Sequence, residues 1–301
     1  MKKFLIKTAI FAAIILVILA TGEIVVRNLP NSYSYKHRYI KEHGESVSTL
    51  ILGSSHTYYG IKSDELGDSV FNLANVSQTP DLDLELLSQY IGDLKNLRRV
   101  IMPISYFTFV DLRLEETPEW FRCIQYKKSM HLPIHSDFSK YNFEISDFEG
   151  YSAKLKGLVL KDASNKCDSL GFGLGYTTKG RSKDWESFGK ERADMTTIPL
   201  TAHADEVEKW LMDLIRFCRE RDIECVLITT PAWHTYRENL DSVQFADMKA
   251  RTARLAKTYR LPYYDFFADP DFGTQDFHDV DHLSDHGASK LTAKLRHLLG
   301  L

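Results

Sequence analysis

The 301-residue sequence predicts an α/β fold: a parallel sheet flanked by helices, carried behind an N-terminal membrane segment. Three observations lead there. Short apolar runs of β-forming residues alternate with amphipathic helical stretches, the pattern of a parallel sheet covered on both faces. The first such run, Ser48 to Leu52, breaks at Gly53 and is followed at once by Ser54 and Ser55. A buried strand ending this way presents a hydroxyl in a tight turn at its C-terminal end, where open α/β sheets bind ligands. Finally, Lys2, Lys3 and Lys7 precede an apolar stretch from Thr8 to Gly22.

That N-terminal stretch keeps its basic end in the cytoplasm and sends the rest of the chain across. Ile24, Val25 and Val26 extend it towards the roughly 20 residues a span requires, with Glu23 near the outer interface. An uncleaved signal anchor over residues 1–27 is preferred to a signal peptide cut after Ala20, because Ile18 stands where a small residue is favoured. The expectation is a single pass through the cytoplasmic membrane, with the main domain on its periplasmic or cell-surface side. The 44% hydrophobic content is that of a globular protein, and a net charge of −3 gives no basic excess for nucleic acid and no acidic tail. Cys123, Cys167, Cys218 and Cys225 lack metal-ligand spacing; Cys218 and Cys225 suit a disulfide and two buried thiols equally.

Residues 28–46 are polar, with Pro30 and several tyrosines, and read as a membrane-proximal connector to an α/β domain over 47–301. Strands are expected at Ser48–Leu52 and Ser69–Leu73, then a loop from Ala74 to Pro80. A helix follows from about Asp81 to Leu97, its acidic first turn suiting the helix dipole. Arg99 to Phe107 carries the buried-strand run Val100-Ile101-Met102. Residues 108–200 are rich in aromatics and charge with irregular periodicity, and read as an insertion that shapes a pocket or lid. Within it, Gly171-Phe172-Gly173-Leu174-Gly175 follows no strand and has the wrong spacing for a dinucleotide fingerprint, so a flexible loop is expected. Asp205 to Arg221 is an amphipathic helix, Ile223 to Thr229 a strand, and Phe245 to Tyr259 a helix. Tyr263–Phe266 is a short strand, and Ser289–Leu299 the closing helix.

A serine hydroxyl becomes an effective nucleophile when a base takes its proton, and histidine is tuned for that near neutral pH. The histidine needs a partner to fix its tautomer and stabilise the imidazolium. Asp279 and His282 have these residue types, three apart, so one turn can hold both. The order Ser, Asp, His is a hydrolase order, but the tight Asp–His spacing and the missing second glycine of G-x-S-x-G depart from the α/β-hydrolase pattern.

Leu52-Gly53-Ser54-Ser55-His56-Thr57, Phe71-Asn72-Leu73 and Phe277 to Leu283 followed by Gly287-Ala288 resemble blocks of the SGNH (GDSL-like) hydrolase family. The closest flavour is its extracytoplasmic branch of DltD-like and AlgJ/AlgX-like polysaccharide O-acetylation proteins. The resemblance spans roughly 48–107 and 203–301 and implies a flavodoxin-like three-layer sandwich needing no cofactor. It implies Ser55 as nucleophile, His282 as base and Asp279 as the partner of His282. Members complete an oxyanion hole with a glycine amide in the second block and an asparagine in the third. Here Ser77 falls near that glycine position, and Pro103-Ile104-Ser105-Tyr106 replaces the third block's Gly-x-Asn-Asp. Asn75, Ser105 and Tyr106 are therefore the substitute donors to examine. His56, beside Tyr58 and Tyr59, and His234, after a strand end next to Trp233, are candidates for lining the pocket or touching substrate.

The function expected is an esterase or O-acyltransferase acting on acylated cell-envelope or exported glycans, or on an acyl donor, with a membrane-bound acyltransferase as a candidate partner. The competing expectation is a degenerate scaffold that binds polysaccharide or supports such an acyltransferase. A metal site of His278, Asp279, His282 and His286 is the rival for the C-terminal cluster. It is set aside because Leu283-Ser284-Asp285 reads as the start of a helix, and no metal is expected.

Overall fold

The computed structural model describes residues 1–110, 113–134, 142–160, 167–198 and 203–301. The first helix, α1 (Lys2–Arg27), is long and apolar enough to cross a membrane, and little of it is buried against the rest of the chain. At 1.5 Å per residue it spans about 39 Å. Residues 28–46 are largely helical. They form α2 (Ser32–His43), capped by Asn31, whose side chain accepts the Ser34 N–H at 2.9 Å, and they bury Tyr33, Lys36 and Ile40. Sequence polarity concealed this helix because its apolar stripe is only two or three residues wide.

The α/β core follows in order: β1 (Thr49–Ile51), the helical turns α3 (Ser55–Tyr58) and α4 (Ser63–Leu66), β2 (Val70–Asn72), α5 (Pro80–Tyr90) and β3 (Arg99–Pro103). The insertion adds α6 (Cys123–Ser129), α7 (Phe148–Val159) and α8 (Gly189–Thr196), with no sheet strand among its described residues. The core resumes with α9 (His203–Arg219), β4 (Glu224–Thr229), α10 (His234–Arg237), α11 (Ser242–Tyr259), β5 (Tyr263–Asp265) and α12 (Asp285–Leu299).

All five strands are parallel, in the order β2-β1-β3-β4-β5. Alternation along the strands splits the core into two layers. Leu50, Val100, Met102 and Leu227 face a layer built with α2, α5, α6, α9 and α11. Ile51, Ile101, Val226 and Ile228 face the opposite layer, built with α4, α8, α10 and α12. The expected three-layer sandwich is what forms, with strands a residue or two shorter than their apolar runs. The chain leaves β1 for β2 on one side and returns to β3 on the other, so the sheet's switch point lies just beyond β1 and β3.

The Gly171–Gly175 segment is a loop packed along β2, with the Asn72 N–H donating to Leu170 O at 2.9 Å. Gly171 has φ +88, and a Cβ there would lie 2.1 Å from the Asn72 carbonyl oxygen, so glycine is required. All four cysteines are buried free thiols. Because Leu214 is fully buried where α9 packs on the sheet, Leu214→Ala is expected to destabilise the fold by about 3 kcal/mol in urea unfolding. A loss below about 1 kcal/mol would mean that this layer is not packed as described.

Candidate active site

The switch point is shaped by the turn after β1. Gly53 has φ +104, and a Cβ there would come within 2.0 Å of Pro103 Cγ, so the turn closes tightly only with glycine. The Gly53 N–H donates to Asp83 Oδ1 at 2.9 Å, and Thr57 Oγ1 donates to the Leu52 carbonyl at 2.7 Å. Asp83 was expected only to complement a helix dipole. It is instead buried and also accepts from Gln78 Nε2 at 2.6 Å, and burial pushes its carboxyl up to about 7. Its place on the buried face of α5 was the one sequence signal that it had a further role.

Ser55 opens α3, so its backbone N–H has no carbonyl one turn earlier to bond. Its Oγ lies 2.8 Å from His282 Nε2 across 227 residues of sequence. Both residues are buried. His282 is held by a tight loop closed at its ends by a bridge between the buried Phe277 and Leu283. The His278 N–H donates to the His282 carbonyl at 3.0 Å. Within this loop Asp279 Oδ1 accepts the N–H groups of Asp281 and His282 at 3.0 and 2.8 Å. That fixes the carboxylate, and His282 Nδ1 lies 2.9 and 3.0 Å from its two oxygens.

A second carboxylate flanks the same ring. Asp281 Oδ1 lies 3.3 Å from His282 Nδ1, while its Oδ2 accepts from Arg192 Nε at 2.8 Å and lies 3.3 Å from His56 Nε2. Burial alone would raise the Asp281 carboxyl, but His282 and Arg192 hold it well below the usual carboxylate range. Burial also disfavours a charged His282, yet Asp279 and then Asp281 outweigh it, and its pKa is raised to about 10. His56 goes the other way: burial keeps its pKa below the ordinary value, so the two rings, 4.9 Å apart, differ in charge near neutral pH. Arg192 and the Asp281 network carried no motif and were not anticipated.

The remaining candidates separate. Ser105 Oγ is 2.7 Å from His56 Nδ1, which commits both to the Asp281 network rather than to an oxyanion. The Tyr106 hydroxyl pairs with Thr197 at 2.8 Å and accepts the Asp241 N–H. His234 is half-exposed and pairs with Glu238 at 3.2 Å. The Asn75 side-chain amide donates to Leu73 O and Gln78 Oε1, while its N–H donates to Gly53 O at 3.1 Å. Asn75 thus braces the turn that carries Ser55. Ser77 has φ +58, and no described residue accepts its N–H.

His56, Asp281 and His282 bring possible ligand atoms within 4.8 Å of one another. The Arg192 guanidinium already supplies positive charge to Asp281, and His282 is engaged on both nitrogens, so the donor set fits a proton-holding network better than a cation. The rival set does not converge: His278 Nδ1 lies 2.9 Å from Thr177 O, and His286 Nδ1 lies 2.7 Å from Asp276.

No protein-family model matches the chain, and no curated protein matches it in sequence. Among solved structures, a candidate acylhydrolase from Bacteroides fragilis is 10% identical, with a TM-score of 0.40 over 87% of this chain and 95% of that one. A candidate platelet activating factor from Streptococcus pneumonia is 12% identical, with a TM-score of 0.44 over 97% and 99%. A GDSL-like lipase from Bacteroides thetaiotaomicron is 10% identical, with a TM-score of 0.41 over 89% and 99%.

The charge on His282 is directly measurable. In an NMR titration its ring should lose its proton far above 6.5, and Asp279→Asn should move that midpoint down by a unit or more. Because the folded pKa exceeds the unfolded one, the stability this proton contributes is complete below about 6.5 and is lost as pH rises through about 10. A wild-type midpoint near 6.5 would show that the carboxylates do not govern the ring.

Proposed function

We propose that the chain is a serine esterase or O-acyltransferase of the SGNH type, in which Ser55, His282 and Asp279 form an acyl-enzyme. The observation that carries this reading is the 2.8 Å approach of Ser55 Oγ to His282 Nε2, with Asp279 on the opposite ring nitrogen. His282 in its neutral form takes the Ser55 proton as Oγ attacks an ester carbonyl. The tetrahedral oxyanion collapses, the ester C–O bond breaks, and the leaving alkoxide takes the proton from His282. Water or a glycan hydroxyl then gives its proton to His282 and attacks the acyl carbon, and Ser55 leaves reprotonated. The Ser55 and Ser77 N–H groups serve as oxyanion donors, each worth roughly 3 kcal/mol where placed well.

The lysines ahead of α1 support a catalytic domain outside the cytoplasm, and with the DltD-like and AlgJ/AlgX-like resemblance they favour acylated cell-envelope or exported glycans as acceptors or substrates. A membrane-bound acyltransferase acting beside it would fit the same setting.

A fluorophosphonate should label the wild-type protein at Ser55, and Ser55→Ala should abolish labelling and lower p-nitrophenyl acetate hydrolysis by about 10³-fold or more. Equal turnover by both proteins would remove the mechanism and leave the binding scaffold. Since a base must be neutral to accept a proton, kcat/KM should climb with pH from neutrality towards about 10, set by His282. A plateau reached already at pH 6–7 would assign the base elsewhere.

A further inference from the structure

A cavity of about 510 Å³ lies beside the proposed catalytic residues but serves none of the steps above. Its inner wall is Tyr59 and Tyr176, stacked at 3.7 Å, whose rings stand 6.4 and 5.3 Å from the His282 ring. Asn75, which braces the nucleophile turn, belongs to the same wall. Tyr33, Val76 and Ile124 line the cavity together with the polar Asn31, Ser32, Arg122 and Gln125. At its far end stand Val26 and Leu29, where α1 finishes. The cavity therefore runs from the Tyr59–Tyr176 pair beside His282 to the end of α1, and Ser55 and His282 are not among its lining residues.

Its roof is α7. Asp147, Gly150, Ala153, Lys154 and Gly157 line the cavity at three- and four-residue spacing, so one helix face, mostly of small residues, covers it. Elsewhere on the helix Phe148, Leu158 and Val159 are exposed, followed by exposed Leu160 and preceded by exposed Phe143. This helix is fastened to α1. A Cβ on Gly22 would meet Tyr151 Oη at 2.0 Å, so the two helices touch closely there. Glu23 accepts the N–H groups of Glu144 and Ile145 at 2.9 and 3.2 Å, and Arg27 donates to the Asn142 carbonyl. An apolar helix surface bound to the last turns of a membrane span lies at the level of the bilayer surface, with Lys156 free to reach the headgroups.

We infer that the cavity beneath α7 takes the aliphatic chain of a membrane amphiphile, entering from the bilayer between α1 and α7 and placing its ester at Ser55. Two observations select a lipid chain over a sugar: the continuity with the end of α1, and the exposed apolar residues of α7. The volume falls in the range of small-molecule pockets, roughly 300–1,000 Å³. This rests on the esterase or acyltransferase reading and names its acyl donor as lipid-borne.

The test uses the full chain in lipid nanodiscs, with Ser55→Ala to stop turnover and a phosphatidylcholine carrying a diazirine at the end of one acyl chain. On irradiation, adducts are expected on Tyr33, Val76, Ile124 or Ala153 as well as on α1. Adducts confined to α1 would overturn the inference. In the wild-type background, Ala153→Trp should lower the ratio of kcat/KM for p-nitrophenyl dodecanoate to that for the acetate by at least about ten-fold. An unchanged ratio would also overturn it. If cavity adducts form but Ser55→Ala retains esterase turnover, the chamber stands and the serine mechanism falls. If turnover depends on Ser55 but no cavity adducts form, the reverse holds.

Discussion

Two hydrogen-bonding atoms separated by 227 residues of sequence must meet within 2.8 Å for this site to exist. Neither is held by its own local segment alone. Ser55 is held because Gly53 turns against Pro103 and is pinned by Asp83, which places the hydroxyl above the end of β1. His282 is held because its loop is propped by the insertion. Arg181 donates to the carbonyls of Thr274 and Phe277, and Trp185 packs on Phe277. The Asp285 N–H donates to Tyr176 O at 2.8 Å. The segment that looks least like the core thus fixes the position of the proposed base.

Charge follows the same division. An imidazole facing two carboxylates is strongly biased towards its cation, and the bias would be stronger still if Asp281 had no other partner. Arg192 and the Asp281 Oδ2 contact with His56 draw part of that negative field away from His282. Asp279, which is more exposed and bonded to its own loop N–H groups, remains the direct partner. Two carboxylates with different surroundings can therefore share one ring while having different work: one orients it, the other ties it to the insertion and to the loop after β3.

Much of the sandwich was legible in the sequence because buried parallel strands leave continuous apolar runs such as Val100-Ile101-Met102, and helices such as α9 leave a stripe. The closeness of Ser55 to the Asp279–His282 pair was legible only through motif order, since periodicity is silent on which loops meet. α2 was missed because a helix that buries a lysine and a tyrosine reads as polar. Asp83 and Arg192 were missed for a related reason. A buried charge is recognised by its partners, here Gly53 and Asp281, and those lie 30 and 89 residues away. Tyr106 was a plausible donor by position after β3, but position along a strand does not say where a hydroxyl is engaged.

The missed helix also bears on how membrane and site communicate. Lys36 of α2 is fully buried, its ammonium 4.3 Å above the Tyr58 ring, and it donates to the Ala74 carbonyl. Burial pulls its pKa down to about 7 against the opposing influence of Cys167 and Asp168. Ala74 precedes Asn75, which bonds Gly53, so a path of direct contacts runs from α2 to the Ser55 turn. A connector whose lysine is committed inside the core holds the Ser55 turn in a fixed relation to the end of α1, as the proposed lipid-fed site would require.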